Sequence, residues 1–175
     1  MSLWLKKSIT MSAMQPEIQI AIGDGPVSMD TMNWPGDCGA ECIFVGRTRD
    51  EVHPKYGKLI RLSYEVYEPM SLKLMQTMCE EIAKQFDARA IRMIHSKGDV
   101  APGEGSVVIQ VATPHRSESF TACKALIDRL KHELPLWKRE IWESGETYVE
   151  GCCAHHPDDR KDISEHPSQG SQNHG

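Results

Sequence analysis

From residue 17 to residue 150, stretches in which apolar side chains recur at every second position give way to stretches in which they recur at every third or fourth. These are the periods of strands and helices respectively. A first strand is predicted over 17–21, followed by a turn at Gly23-Asp24-Gly25-Pro26 and a short helix near Met29 to Asn33. Residues 40–45 form a short apolar run containing Phe44 and β-branched side chains, which opens at Gly46-Arg47-Thr48-Arg49-Asp50 into a charged loop lasting to about Lys58. A buried strand feeding a loop is the expected reading. Alternation resumes over 59–67 at Leu62, Tyr64 and Val66, which suits an antiparallel partner of the preceding strand.

Glu68-Pro69 opens a helix in the favoured way, with proline in the first turn and apolar positions 75, 78, 79, 82 and 86 on one face. Strands follow over 90–94 and 107–112, separated by the turn signal Asp99 to Gly105. After Thr113-Pro114-His115-Arg116 comes a second helix with its apolar stripe at 120, 123, 127, 130 and 134, ended by Pro135. Trp137 to Trp142 and Thr147 to Val149 then form a hairpin around Ser144-Gly145. Strands therefore come in pairs instead of alternating singly with helices, which defines an α+β class. One domain over 17–150 is expected, flanked by a flexible N-terminus (1–16) and a polar flexible tail (151–175) poor in apolar side chains.

Composition narrows the function classes. At 175 residues, with 39% hydrophobic and 26% charged residues, the chain is an ordinary globular one. A formal net charge of -5 argues against a general nucleic-acid binder, so any anionic ligand must be met by a local cluster of cations. No apolar run reaches the length of a membrane span, and the start Met1-Ser2-Leu3-Trp4-Leu5-Lys6-Lys7 has no secretory pattern, so a cytoplasmic protein is expected. Six cysteines without repeated Cys-x-x-Cys spacing are poor material for a disulfide framework, and Cys79 and Cys123 fall on apolar helix faces as packing residues.

Three cationic clusters lie at element ends, where sites are usually built: Arg47 with Arg49, His115 with Arg116, and Lys131 with Lys138. His115 and Arg116 stand at a helix N-terminus, where free backbone N–H groups and a guanidinium fork together suit a phosphate ester. Any one such cation taken alone is ordinarily a solvated surface charge. Lys131 is the more interesting of the two lysines: partly enclosed near other cations it would become available for base or nucleophile duty, and exposed it would remain an inert cation. Glu140 lies two residues beyond Lys138 on the same strand face and can orient it.

Other constellations carry less. Cys152-Cys153-Ala154-His155-His156 has adjacent ligands and a Pro/Asp-rich sequel, so no metal is assigned. The two Gly-x-Gly pairs open no helix and give no nucleotide fingerprint. Ser117 and Ser119 follow His115 without a nucleophile elbow, and Glu80/Glu81 form a solvated helix face.

The ordered series Gly46-Arg47-Thr48-Arg49, Tyr64-Glu65, His95, Pro114-His115-Arg116-Ser117 and Lys131 with Pro135-Leu136-Trp137-Lys138-Arg139-Glu140 resembles the large subunit of molybdopterin synthase over roughly residues 36 to 150. The resemblance implies an α/β hammerhead-type fold and a homodimer of large subunits. A small ubiquitin-like subunit would dock at each end to complete a heterotetramer. It further implies that the partner's Gly-Gly thiocarboxylate delivers two sulfurs to cyclic pyranopterin monophosphate, forming molybdopterin without a metal or redox cofactor. On the matching positions, Lys131 and Lys138 are the implied catalytic residues, and Arg49, His115 and Arg116 the implied substrate-binding ones. The family often carries another basic residue after the last strand, where this chain has Gly151-Cys152-Cys153; the contact is then either missing or supplied by Arg160. Two alternatives stand beside this: a non-catalytic docking module for a ubiquitin-like sulfur carrier that uses the same apolar and basic residues for recognition, and a metal-binding regulator that uses the Cys/His tail instead.

Overall fold

A computed structural model describes residues 15–149. The Cys152–His156 cluster, Arg160 and most of both predicted tails lie outside the described residues. The order of elements is β1 (Glu17–Asp24), β2 (Ala40–Arg47), β3 (Val52–His53), β4 (Gly57–Val66), α1 (Glu68–Phe86), β5 (Ala90–Val100), β6 (Gly105–Thr113), α2 (Arg116–Glu133), β7 (Leu136–Trp142) and β8 (Gly145–Val149). The class is α+β, with two helices and a largely antiparallel sheet ordered β2-β6-β5-β4-β7-β8. One pair is parallel: β1 lies along β5 from Glu17↔Ala90 to Asp24↔Lys97.

Strand β5 joins the two halves of the sheet. Its first eight residues pair with β1, and its last three pair with β4 from Tyr64↔Gly98 to Leu62↔Val100. The exchange of partners falls at Gly98, whose φ of 83° lies in the left-handed region that glycine enters without a Cβ clash.

The helices cover one face of the first half, α1 over β1 and β5, α2 over β2 and β6, in contact with each other. Pro69 starts α1 and a left-handed Asp87 ends it, the Ala88 N–H closing on the Ala83 carbonyl at 3.0 Å. The core between the layers holds Met75, Met78 and Ile82 from α1, Leu126 and Leu130 from α2, and Met93 and Ile109 from the sheet. Each fully buried side chain of this size contributes about 1.5–3 kcal/mol relative to exposure. Cys79 and Cys123 are buried here as packing residues, and burial pushes both thiols up to about 12.

Five expectations fail. Strand β2 forms where expected but is not a buried strand, since none of its residues is fully buried and Ile43 is 40% exposed. Residues 29–33 are not helical. Set between Pro26 and Pro35, the segment anchors instead to β6: the Val27 N–H donates to the Gly105 carbonyl at 2.9 Å, and the Asp30 carbonyl accepts from Gln110 Nε2 at 3.1 Å. Strand β4 does not pair with β2; β2 pairs with β6, and β4 with β3, β5 and β7. The stripe of α2 is rotated from the expected one, because Ser119 and Ala122 face the core while Phe120 is 62% exposed. Small residues at the contact let the helix approach β6 closely. The loop expected to run to Lys58 also contains the two-residue strand β3, paired with the start of β4.

Candidate active site

The second half of the sheet builds a cleft of about 410 Å³ at its junction with the end of α2. Lys131 reaches it from the last turn of α2, Lys138 and Glu140 from β7, Leu62 and Tyr64 from β4, and Arg47, Thr48, Arg49 and Glu51 from the loop after β2. Register explains the floor: Tyr64 faces Lys138 and Leu62 faces Glu140 across the β4–β7 ladder, so alternate residues of both strands share one face.

The loop wall is pinned at both ends. At its start, Arg47 Nη1 donates to the Gly103 carbonyl at 2.8 Å, the Thr48 N–H donates to Glu104 O at 3.0 Å, and Gly103 N–H donates back to Thr48 O at 2.8 Å. Farther on, the Leu59 N–H donates to Glu51 O at 2.9 Å, and Glu143 Oε2 accepts the Lys58 N–H at 3.0 Å. Arg49 projects between these anchors with its side chain 84% exposed, ion-paired to Glu51 at 2.7 Å. The Thr48 hydroxyl is buried with no hydrogen-bond partner.

On the floor, Lys138 Nζ stands 3.2 Å from Glu140 Oε1, the orientation expected from their spacing. Glu140 Oε2 accepts from Thr147 Oγ1 at 2.8 Å, and that hydroxyl accepts from Trp142 Nε1 at 2.9 Å. Behind the cleft the Tyr64 ring meets buried His95 edge-on, with ring centroids 5.3 Å apart. Burial holds the His95 imidazole below its usual pKa, opposed by the Ser96 carbonyl, which lies 2.8 Å from Nδ1.

Of the five residues singled out in the sequence, the structure brings Arg49, Lys131 and Lys138 to one cleft and leaves two outside it. His115 is the extended N-cap residue of α2 and Arg116 its first helical residue; both are exposed. Arg116 and Lys131 stand fifteen positions apart on one helix, about 22 Å along the axis, too far for their side chains to meet within one chain. Thr48 and Thr147 were not singled out. A threonine beside charged neighbours carries no periodic signal, and only the fold shows where its hydroxyl points. Among the described residues, no group of three His, Cys, Asp or Glu side chains is placed to hold a metal ion.

Over the described residues, fold and cleft together define an α+β protein with a cation-rich pocket where a helix end meets the sheet. The sequence model of the MoaE protein family matches residues 24–133, and the chain belongs to that family. The molybdopterin synthase catalytic subunit of Bacillus subtilis is 34% identical over 131 residues, 74% of this chain and 82% of that protein. The subunit of the same name in Drosophila willistoni is 44% identical over 110 residues, 62% of this chain, which spans only 29% of that longer protein. The crystal structure of molybdopterin synthase from Staphylococcus aureus superimposes with a TM-score of 0.65 at 30% identity, covering 78% of this chain and 97% of that one.

Proposed function

We propose that this chain is a sulfurtransferase, the catalytic subunit of a cytoplasmic molybdopterin synthase that converts cyclic pyranopterin monophosphate to molybdopterin. The observation that carries the reading is the cleft itself: Arg47, Arg49, Lys131 and Lys138 set four cations against two carboxylates in a protein that is acidic overall. Such a pocket suits a phosphorylated, compact substrate, and the names of the relatives support molybdopterin synthesis as the reaction.

In this reading a small ubiquitin-like subunit threads its C-terminal Gly-Gly thiocarboxylate into the cleft beside the exposed Arg49 side chain. The thiocarboxylate sulfur attacks a side-chain carbon of the bound pterin and displaces an oxygen leaving group from it; water then cleaves the acyl–sulfur bond, leaving the sulfur on the pterin and the carrier with an ordinary C-terminal carboxylate. Lys131 and Lys138 stabilise the oxyanion that develops and move protons, while Arg49 holds the anionic substrate. Two such transfers build the dithiolene. The chemistry requires no redox cofactor or metal, because electrons are not exchanged with an external acceptor.

His115 and Arg116 enter through the assembly. Since the length of α2 keeps them from their own chain's Lys131, we assign them to the pocket of a second copy, within a homodimer that carries one small subunit on each large one. Their place at a helix N-terminus suits the phosphate. The test is reconstitution: purified protein, thiocarboxylated small subunit and cyclic pyranopterin monophosphate should yield molybdopterin. No product with all three components verified overturns the proposal.

A further inference from the structure

Lys138 is held by a polar relay that reaches across the terminal hairpin, and the relay has a fixed direction. An indole N–H can only donate, so the 2.9 Å contact from Trp142 Nε1 occupies a lone pair of the Thr147 hydroxyl. The hydroxyl proton is then committed to Glu140 Oε2 at 2.8 Å. With Oε2 fixed, Oε1 is left to Lys138 Nζ at 3.2 Å. Cross-strand register makes this possible, because Thr147 lies directly opposite Glu140 in the β7–β8 pair.

The Glu140 side chain is only 18% exposed, and a carboxylate so enclosed needs partners for its charge. A carboxylate is also an unsuitable direct ligand for a phosphorylated substrate, which it repels. Its usable contact is the lysine. We propose that Thr147 and Glu140 are positioning residues that fix the Lys138 ammonium within the cleft, so that its reach toward substrate is set by β8 as well as by β7. The consequence for turnover rests on the proposed sulfurtransferase reading; the positioning itself does not.

Lysines labelled by reductive ¹³C-methylation report this directly by NMR, the Lys138 signal being assigned by its loss in Lys138→Arg. In the wild type that signal should stand apart from those of exposed lysines. Thr147→Val should move it into their range, Thr147→Ser should keep it in place, and Ile91→Val, a core truncation far from the relay, should leave it unmoved. A signal unchanged by Thr147→Val, or one already among the exposed lysines in the wild type, overturns the proposal. In the reconstituted reaction, Thr147→Val should lower kcat about tenfold at unchanged KM for the pterin precursor, with Thr147→Ser restoring it. A raised KM at unchanged kcat would make the relay part of substrate binding and contradict the positioning role. A wild type that forms no molybdopterin would remove the proposed function, while the NMR signal would still decide the relay.

Discussion

Lys131 and Lys138 stand on different elements, the last turn of α2 and the middle of β7, and open onto the same cleft although Pro135 breaks the chain direction between them. The break is what makes convergence possible. A continued helix would place position 138 seven residues on, about 10 Å farther along the axis. Pro135 instead releases the chain into a strand that returns beside β4.

If both lysines act on the reacting centre, Lys131→Ala and Lys138→Ala should each lower turnover at least about a hundredfold, the scale of losing one preorganised electrostatic group. Circular dichroism and melting temperature should stay near wild type for Lys131→Ala, because that side chain is exposed and buries no core surface. Arg49→Ala should chiefly raise KM for the pterin precursor, measurable by steady-state kinetics.

A pocket completed by a second copy predicts complementation. Lys131→Ala and Arg116→Ala should each be impaired alone. Randomly mixed, half the dimers would carry one intact pocket, so activity should recover to about a quarter of wild type. No recovery after verified subunit exchange would place both residues in one chain's pocket or remove Arg116 from it.

His95 gives the fold an acid-side weakness. Its folded pKa is lowered from 6.5, so as pH falls through 6.5 the unfolded chain takes up a proton that the folded chain refuses. Stability is therefore complete above that pH and declines below it, by at most about 1.4 kcal/mol per pH unit for this one group. Asparagine at 95 keeps an N–H donor for the Ser96 carbonyl without a proton to gain. Denaturant melts between pH 7.5 and 5.5 should slope less for His95→Asn than for wild type.

Gly57 supports the loop wall from below. Its φ is 82°, and a Cβ there would lie 2.3 Å from Glu143 Oε2, the atom that accepts the Lys58 N–H. Gly57→Ala should cost about 1–3 kcal/mol in urea unfolding, from backbone strain and displacement of Glu143.

Local signals were strongest where a segment's own period matches the surface it buries. Met75, Met78, Cys79 and Ile82 in α1 were legible for this reason, whereas the apolar run of β2 marked a strand without marking its burial. The partner of β4 was not, because the alternation of Leu62, Tyr64 and Val66 says which face is inward and nothing about which edge receives the strand. Phe120 misled because size is not burial; small Ser119 and Ala122 occupy the contact in its place. In the site, charge type and element ends marked Arg49, Lys131 and Lys138. Whether His115 and Arg116 share that pocket within one chain was not legible from residue type, because it depends on the length of the helix between them and Lys131. Thr147 was invisible until the β7–β8 register set it opposite Glu140.

The central claim is that one cleft, lined by Lys131, Lys138 and Arg49, receives the phosphorylated pterin. A crystal structure of the protein with cyclic pyranopterin monophosphate tests it most directly. The precursor should lie in that cleft, within hydrogen-bonding reach of both lysines, with its phosphate against Arg116 of the partner subunit. Precursor bound elsewhere, with the cleft filled only by solvent, would contradict it.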